Sequence, residues 1–490
     1  MNVPSRIKIF SGPILALIVL FSFDLSPGNP MVTKMAAVAI WMAAWWFTEA
    51  VALAITALLP LILLPITGIL DGKTTAVQYM DQTIFLFIGG FIIAIAIERW
   101  QLHQRIALKI LTIVGSKPVS ILFGVMIATF SLSMWISNTA TVMMLIPAVL
   151  AVIYQIEYHV KNEEQVRKIS LALLLGLAYS ATIGGMATLV GTPTNMIFLR
   201  QYNDKFPDNH DMNFANWFVI AFPLALVFML LSFFIISQLF LRRINTPVVE
   251  KEYFSDAYKK LGPMNYEEKV VSIVFSLTAL LWFTRSDIDF GIFVMRGWDN
   301  LFKYKEFLND STVALFMAIL LFIIPARSEK TRAIMIWEDA KRLPLDIILL
   351  FGGGFALAKG FEVSGLSTWL ARHLSFLSGS NIYLFIFIMC VITTLISEFA
   401  SNVACIQLMI PVLLVIQKDM NIHPLILLIP ATLAASLGFM MPVATAPNTI
   451  VFGTNKIKTH EMMKTGFWLN LIGVILITLT MLLISGIYST

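Results

Sequence analysis

Long stretches of this chain carry no Asp, Glu, Lys or Arg, and short charged intervals separate them. The longest are Pro118–Ile156, Ile169–Leu199, Met212–Leu241, Met420–Asn455 and Thr465–Thr490. Shorter ones are Ile9–Phe23, Met35–Thr48, Val51–Leu70, Thr83–Ile97, Val270–Thr284, Thr312–Ile324 and Ile347–Ala358. A helix needs about 20 mostly apolar residues to span the hydrocarbon core, so the pattern predicts a chain built of membrane-spanning helices. The run Ile9–Phe23 follows Arg6 and Lys8 and lacks a small-x-small cleavage site before Pro27. It is therefore read as a retained first helix within residues 1–30, not as a signal peptide.

The run Pro118–Ile156 has 39 residues, too many for one crossing, since a straight helix of that length would reach about 58 Å. Its centre, Ser131-Leu-Ser-Met-Trp-Ile-Ser-Asn-Thr139, is polar, and basic residues flank both ends. These features predict a helical hairpin over 118–156 that returns to the side it came from, and 381–417 reads the same way. With a cytoplasmic N-terminus, 23 of the 34 Lys and Arg then fall on the cytoplasmic side. That asymmetry supports eleven crossings with the C-terminus outside. Charge counting does not distinguish two full spans from a re-entrant loop, because both return to the same face.

The sequence also matches itself. At an offset of 264, Gly89-Gly90-Phe91 falls on Gly353-Gly354-Phe355, Ser133 on Ser397, Ser137-Asn138 on Ser401-Asn402, Ala140 on Ala404, and Ile146-Pro147 on Ile410-Pro411. At 253, Gly185 falls on Gly438, Thr192 on Thr445 and Asn195 on Asn448; at 262, Val51-Ala-Leu53 falls on Val313-Ala-Leu315. The repeats are expected over 31–243 and 264–490, joined by a cytoplasmic linker over 244–263. Repeat 1 holds the hairpin 118–156 and a broken helix over 169–200; repeat 2 holds the hairpin 381–417 and a broken helix over 424–455. Each half has an odd number of crossings, so the second is inverted and its hairpin comes in from the opposite face. Two such tips meet only near the midplane, where inverted-repeat transporters place substrate and ions.

Composition narrows the function. Apolar residues make up 58% and charged residues 13%, against about 45–50% and about 25% in globular chains. Mean hydropathy is +0.83. A soluble multidomain enzyme, a disordered protein and a nucleic-acid binder are all excluded. The formal charge is only +5, and the two cysteines, Cys390 and Cys405, lie in apolar runs, giving neither a disulfide framework nor a thiolate metal site.

At the hairpin tips, Ser133, Ser137 and Asn138, and again Ser397, Ser401 and Asn402, offer neutral oxygens together with carbonyls freed from helical bonding. Such a set suits Na⁺ better than zinc or copper, whose His and Cys ligands are missing. The helix after each tip points its N-terminus, with unpaired N–H groups, at the same place and would hold an anion there. Gly184–Asn195 and Met440–Asn448 interrupt apolar runs with Gly, Pro and Thr and read as paired unwound breaks, each giving carbonyls to an ion and a threonine hydroxyl to the substrate. None of the four elements holds Arg or Lys. A dianion without a basic partner is costly inside a membrane, so its charge has to be offset by co-bound cations and helix ends.

These residues resemble those of the divalent anion:sodium symporter family, whose members carry dicarboxylates, citrate or sulfate. The match is strongest over Ala435-Ser-Leu-Gly-Phe-Met-Met-Pro-Val-Ala-Thr-Ala-Pro-Asn-Thr-Ile-Val451, which satisfies that family's long signature, and the similarity covers nearly the whole chain. The resemblance implies an all-α polytopic membrane protein, an inverted-repeat transporter with eleven transmembrane helices and two re-entrant helical hairpins. It further implies a plasma (inner) membrane homodimer whose scaffold halves stay fixed while transport halves move as elevators. By the same resemblance Ser133, Ser137, Asn138 and the Gly191 carbonyl form one Na⁺ site, and Ser397, the Ala400 carbonyl, Asn402 and the Ala444 carbonyl a second. Asn138, Thr139, Thr192, Asn402, Thr445 and Ala446 form the carboxylate-binding set. Val403 stands where the commoner pattern has Thr, which removes one hydroxyl from that set and roughly 1–2 kcal/mol of net hydrogen bonding.

The expected partners are a small dicarboxylate or related anion, Na⁺ and membrane lipid, with no nucleic acid and no organic cofactor. A dicarboxylate exchanger and a sulfate carrier of the same fold remain as alternatives, and a passive channel is disfavoured by the paired tips. A membrane-embedded enzyme is also disfavoured, because the chain has no HExxH, no G-x-S-x-G and no paired intramembrane carboxylates. Glu398 has Met134 as its counterpart at the first tip and is read as a partner of hairpin backbone N–H groups, not a proton carrier. Glu49, Asp81, Glu98 and Asp346 are read as caps at span ends, Lys359 and Glu362 as a helical ion pair, and Arg99–Lys117 as an amphipathic surface helix. His159 and His423 are lone loop histidines.

Overall fold

The computed structural model describes residues 5–207, 212–242, 244, 253–289, 294–328, 333–374 and 381–484. Among the described residues the protein is all-α apart from one short antiparallel pair, Ile288–Asp289 with Val294–Met295, in the loop after the helix Tyr266–Phe283. Among the described residues nine helices are long and apolar enough to cross a membrane, and Leu53–Thr67, Pro118–Ser133, Asp310–Ile323 and Leu425–Ala435 are shorter apolar segments. Several helices begin earlier than the uncharged runs do. Glu163–Met186 starts six residues before Ile169, because Asn162 caps it and Glu163 and Glu164 sit in its first turn, where negative charge favours a helix. The run Val51–Leu70 forms two pieces, Leu53–Thr56 and Pro60–Thr67, since Pro60 cannot donate the hydrogen bond that would continue the first.

Each region expected to form a hairpin holds two helices that pack against each other across a short break. The first comprises Pro118–Ser133 and Asn138–His159, with Ser137 capping the second helix through a bond accepted from Ala140 N. The second comprises Ile382–Phe399 and Asn402–Met420, separated by the extended pair Ala400 and Ser401. Each packs on the first part of a broken helix: Glu163–Met186 against the first hairpin, Leu425–Ala435 against the second. These two segments are the centre of the molecule. Every residue from Ile169 to Met186 and from Leu425 to Ala435 is buried, as expected of helices that are apolar all round.

The broken helices resume as Pro193–Lys205 and Ala446–Phe452. Pro193–Lys205 packs against Asn402–Met420 and Leu425–Ala435, while Ala446–Phe452 packs against Asn138–His159 and Glu163–Met186. The second part of each broken helix therefore leans on a helix of the other half's hairpin. The helix Leu102–Val114 buries Leu102, His103, Arg105, Ala107 and Leu111 and exposes Ile113. Arg105 ties it to the start of the helix Tyr266–Phe283, donating to Glu268 at 3.2 and 3.0 Å and to Gly262 O at 2.9 Å. Residues 245–252 of the expected linker lie outside the described residues.

Candidate functional site

Each tip gathers oxygens around a buried serine. Ser133 Oγ lies 2.7 Å from Asn138 Oδ1 and 2.7 Å from the Ala181 carbonyl. Ser397 Oγ lies 2.7 Å from Asn402 Oδ1 and 2.5 Å from the Ala435 carbonyl. Both serines are fully buried. A hydroxyl has one proton to donate, so three oxygens share it and lone pairs are in excess. A small hard cation fits such a knot.

The breaks press against these knots. A Cβ on Gly185 would sit 2.2 Å from Asn138 Oδ1, and one on Gly438 would sit 3.6 Å from Asn402 Oδ1. Only glycine allows the first approach. The Thr188 hydroxyl donates to the Met134 carbonyl and accepts from Gly191 N, which fastens the first break to the first tip. In the second half Glu398 does this work. Its carboxylate accepts from Phe439 N at 2.8 Å, Met440 N at 2.9 Å and Met441 N at 2.9 Å, and Asn470 donates to it as well. Glu398 is therefore a partner of backbone N–H groups, but those of the break and not of its own hairpin. Thr194 Oγ1 and Ser436 Oγ, 3.0 Å apart, join the two breaks directly.

A family profile described as "Sodium:sulfate symporter transmembrane region" matches residues 13–487. The chain belongs to that family. A sodium-dependent dicarboxylate transporter SdcS of Staphylococcus saprophyticus is 39% identical over 483 residues, 98% of this chain and 91% of the relative. SdcS of Staphylococcus aureus strain NCTC 8325 is 39% identical over 478 residues, covering 96% and 90%. Among solved structures, MtrF of Neisseria gonorrhoeae, described with a class of antimetabolite efflux pumps, superposes with a TM-score of 0.54 at 14% identity over 84% of this chain and 82% of its own. That likeness is one of fold. As a member of a symporter family the chain is a multi-pass membrane transporter, not an enzyme.

The other residues picked out from sequence sort by depth in this symporter fold. Gly191, Thr192, Ala400 and Ala444 are buried; Ser137, Asn138, Ser401, Asn402, Val403 and Thr445 are half-buried; Thr139 and Ala446 are exposed. Ser137 uses its hydroxyl as a helix cap, accepting from Ala140 N at 3.3 Å. Asp81 caps Gln82–Arg99 and also pairs with Arg200, while Glu98 pairs with Arg342 and caps nothing. Glu49 occupies a left-handed helix C-cap with φ 47°. Asp346 lies in the first turn of Leu345–Ser364. Lys359 and Glu362 form the expected pair at 3.1 Å, and Lys205 shares that carboxylate.

A cavity of about 720 Å³ lies apart from the knots, lined by Arg200, Asp204, Lys205, Lys359, Glu362 and Lys418 among others. Arg200 there is matched by Asp81 and Asp204, and Lys205 and Lys359 by Glu362. Three of its basic residues are therefore already engaged by carboxylates.

Sequence reading missed the Ala181 and Ala435 carbonyls and the hydroxyl of Thr188. A carbonyl leaves no mark in sequence, and Thr188 has no twin, since Met441 stands at the matching place.

Proposed function

We propose that this protein couples Na⁺ to uptake of a di- or tricarboxylate of the succinate, malate and fumarate class. The observation that carries the reading is the pair of buried oxygen knots without Lys or Arg. Neutral oxygens hold Na⁺ well but cannot neutralise a dianion, so the substrate depends on the cations bound beside it. The first site uses Ser133, Ser137, Asn138 and the Gly191 carbonyl; the second uses Ser397, Asn402 and the carbonyls of Ala400 and Ala444. Asn138, Thr139, Thr192, Asn402, Val403, Thr445 and Ala446 face the carboxylates, helped by the N-termini of the helices starting at Asn138 and Asn402. The names of the staphylococcal relatives support a dicarboxylate over sulfate.

The membrane arrangement is eleven crossings and two re-entrant hairpins in a homodimer, with the N-terminus cytoplasmic and the C-terminus outside. Transport follows an elevator path. Positions related by the repeat are packed unequally: Gln407 is fully buried and donates to the Leu350 carbonyl at 2.7 Å, while Met143, 264 residues earlier, is 58% exposed. Val190 is 7% exposed and Val443, 253 residues later, 72%. An inverted repeat in a symmetric state would treat each pair alike. The imbalance fits one end state, with the second hairpin docked on Leu345–Ser364 and the first less covered.

Radiolabelled succinate uptake into proteoliposomes tests the reading. An imposed Na⁺ gradient is expected to drive accumulation, and Asn138→Ala and Asn402→Ala to abolish it. Uptake that needs internal dicarboxylate and ignores Na⁺ identifies an exchanger; normal transport by both variants refutes the site.

A further inference from the structure

Asn195 and Asn448 occupy matching positions just after the two breaks, and both are fully buried. Asn195 Nδ2 donates to the Gly185 carbonyl at 3.2 Å and the Thr188 carbonyl at 2.8 Å, with the Met186 carbonyl further off at 3.4 Å. Asn448 Nδ2 donates to the Gly438 carbonyl at 2.9 Å and the Met441 carbonyl at 3.0 Å. Gly185 and Gly438, and Thr188 and Met441, are separated by the same 253 residues as the asparagines themselves. The amide thus meets the same two repeat-related carbonyls in each half.

The clamped carbonyls lead to the residues assigned above as ion ligands. Thr188 O also accepts from Gly191 N at 3.3 Å, and Met441 O from Ala444 N at 3.2 Å. Each clamp is therefore one hydrogen bond from the residue whose carbonyl is assigned to a cation. The amides cannot be turned over, because their oxygens would then face two carbonyl oxygens. In consequence Asn195 Oδ1 and Asn448 Oδ1 are buried with no hydrogen-bond partner. A residue kept only for packing would not accept that cost twice, at equivalent places.

We propose that Asn195 and Asn448 are positioning residues of the two cation sites, holding the unwound backbone so that the Gly191 and Ala444 carbonyls aim at Na⁺. This rests on the reading of the preceding subsection. The amide donor does the holding, not the oxygen. Groups that orient a metal's own ligands typically carry about 10–100-fold in affinity.

The test uses the purified full chain, its Na⁺-dependent rise in melting temperature, and the Na⁺ dependence of succinate uptake. Asn195→Ala and Asn448→Ala are each expected to raise the Na⁺ concentration for half-maximal effect about tenfold or more. Half-saturation by succinate at saturating Na⁺ should move less than about twofold, a split that general loosening would not give. Asn195→Asp keeps the oxygen and the volume but loses the donor, so it should fail as alanine does; parental Na⁺ dependence in Asn195→Asp overturns the clamp. If Asn195→Ala does not fold, Asn195→Ser, which keeps one donor, should show an intermediate shift, and the parental value overturns the inference. A parent that ignores Na⁺ refutes the coupled-transport reading and this inference together. A responsive parent with equally responsive variants refutes this inference alone.

Discussion

Ser133 and Ser397, 264 residues apart, each place their hydroxyl 2.7 Å from the amide oxygen of the asparagine five residues later. Each also reaches back to a carbonyl of the neighbouring broken helix. One serine thus ties together a hairpin tip, the start of the next helix and the wall behind it.

Removing either hydroxyl should weaken one ion site and spare the other. Ser133→Ala and Ser397→Ala each lose a hydrogen bond of about 1 kcal/mol, so the Na⁺ concentration giving half-maximal uptake should rise about fivefold in each. The double variant should show roughly the product of the two shifts, since the knots share no bond. Na⁺ titration of uptake measures this.

The glycines beside the tips are not equally replaceable. A methyl at Gly185 would lie 2.2 Å from Asn138 Oδ1, whereas at Gly438 the nearest atom, Thr445 Cγ2, is 3.0 Å away. Gly185→Ala should therefore displace Asn138 and abolish uptake in a chain that still elutes as a folded species. Gly438→Ala should retain most of its transport, as a direct comparison of initial rates will show.

Gly354 is where the second hairpin rests: a Cβ there would meet Gln407 Cδ at 2.2 Å, while one at Gly90 would meet Val190 Cγ1 at an ordinary 3.4 Å. Gly354→Ala should push the hairpin off its seat and favour the opposite state, and Gly90→Ala should leave the present one undisturbed. A Met143→Cys reporter, exposed in this state, should react with a polar thiol reagent in the parent and become protected when Gly354→Ala is added. Unchanged labelling argues against the state assignment.

His103, on the amphipathic helix Leu102–Val114, gives a pH effect. Burial pushes its imidazole below the usual 6.5, against the opposing pull of the Ile97 carbonyl and Glu98. The unfolded chain then binds the proton more readily, so the contribution of His103 to stability is whole above 6.5 and is lost as pH falls through the depressed value. Hydrogen exchange over residues 102–114 should accelerate from about pH 7.5 to about pH 5.5 beyond the intrinsic rate change. His103→Gln should remove that excess.

The sequence alone determined that this is a membrane protein of helices, because runs without charge are stable only in hydrocarbon. It also placed Ser133, Asn138, Ser397 and Asn402 at tips and Gly184–Asn195 and Met440–Asn448 at breaks, since polar and Pro residues inside apolar runs must find partners. Asn195 and Asn448 were legible as a matched pair, but their role was not, because the carbonyls they hold are backbone atoms common to every residue. Only the tertiary structure decided that Glu398 serves the break, that Gln407 is buried while Met143 is exposed, and that Gly185 gives way to Asn138. Those facts depend on which helices lie side by side, and packing between segments hundreds of residues apart leaves no periodicity in the chain.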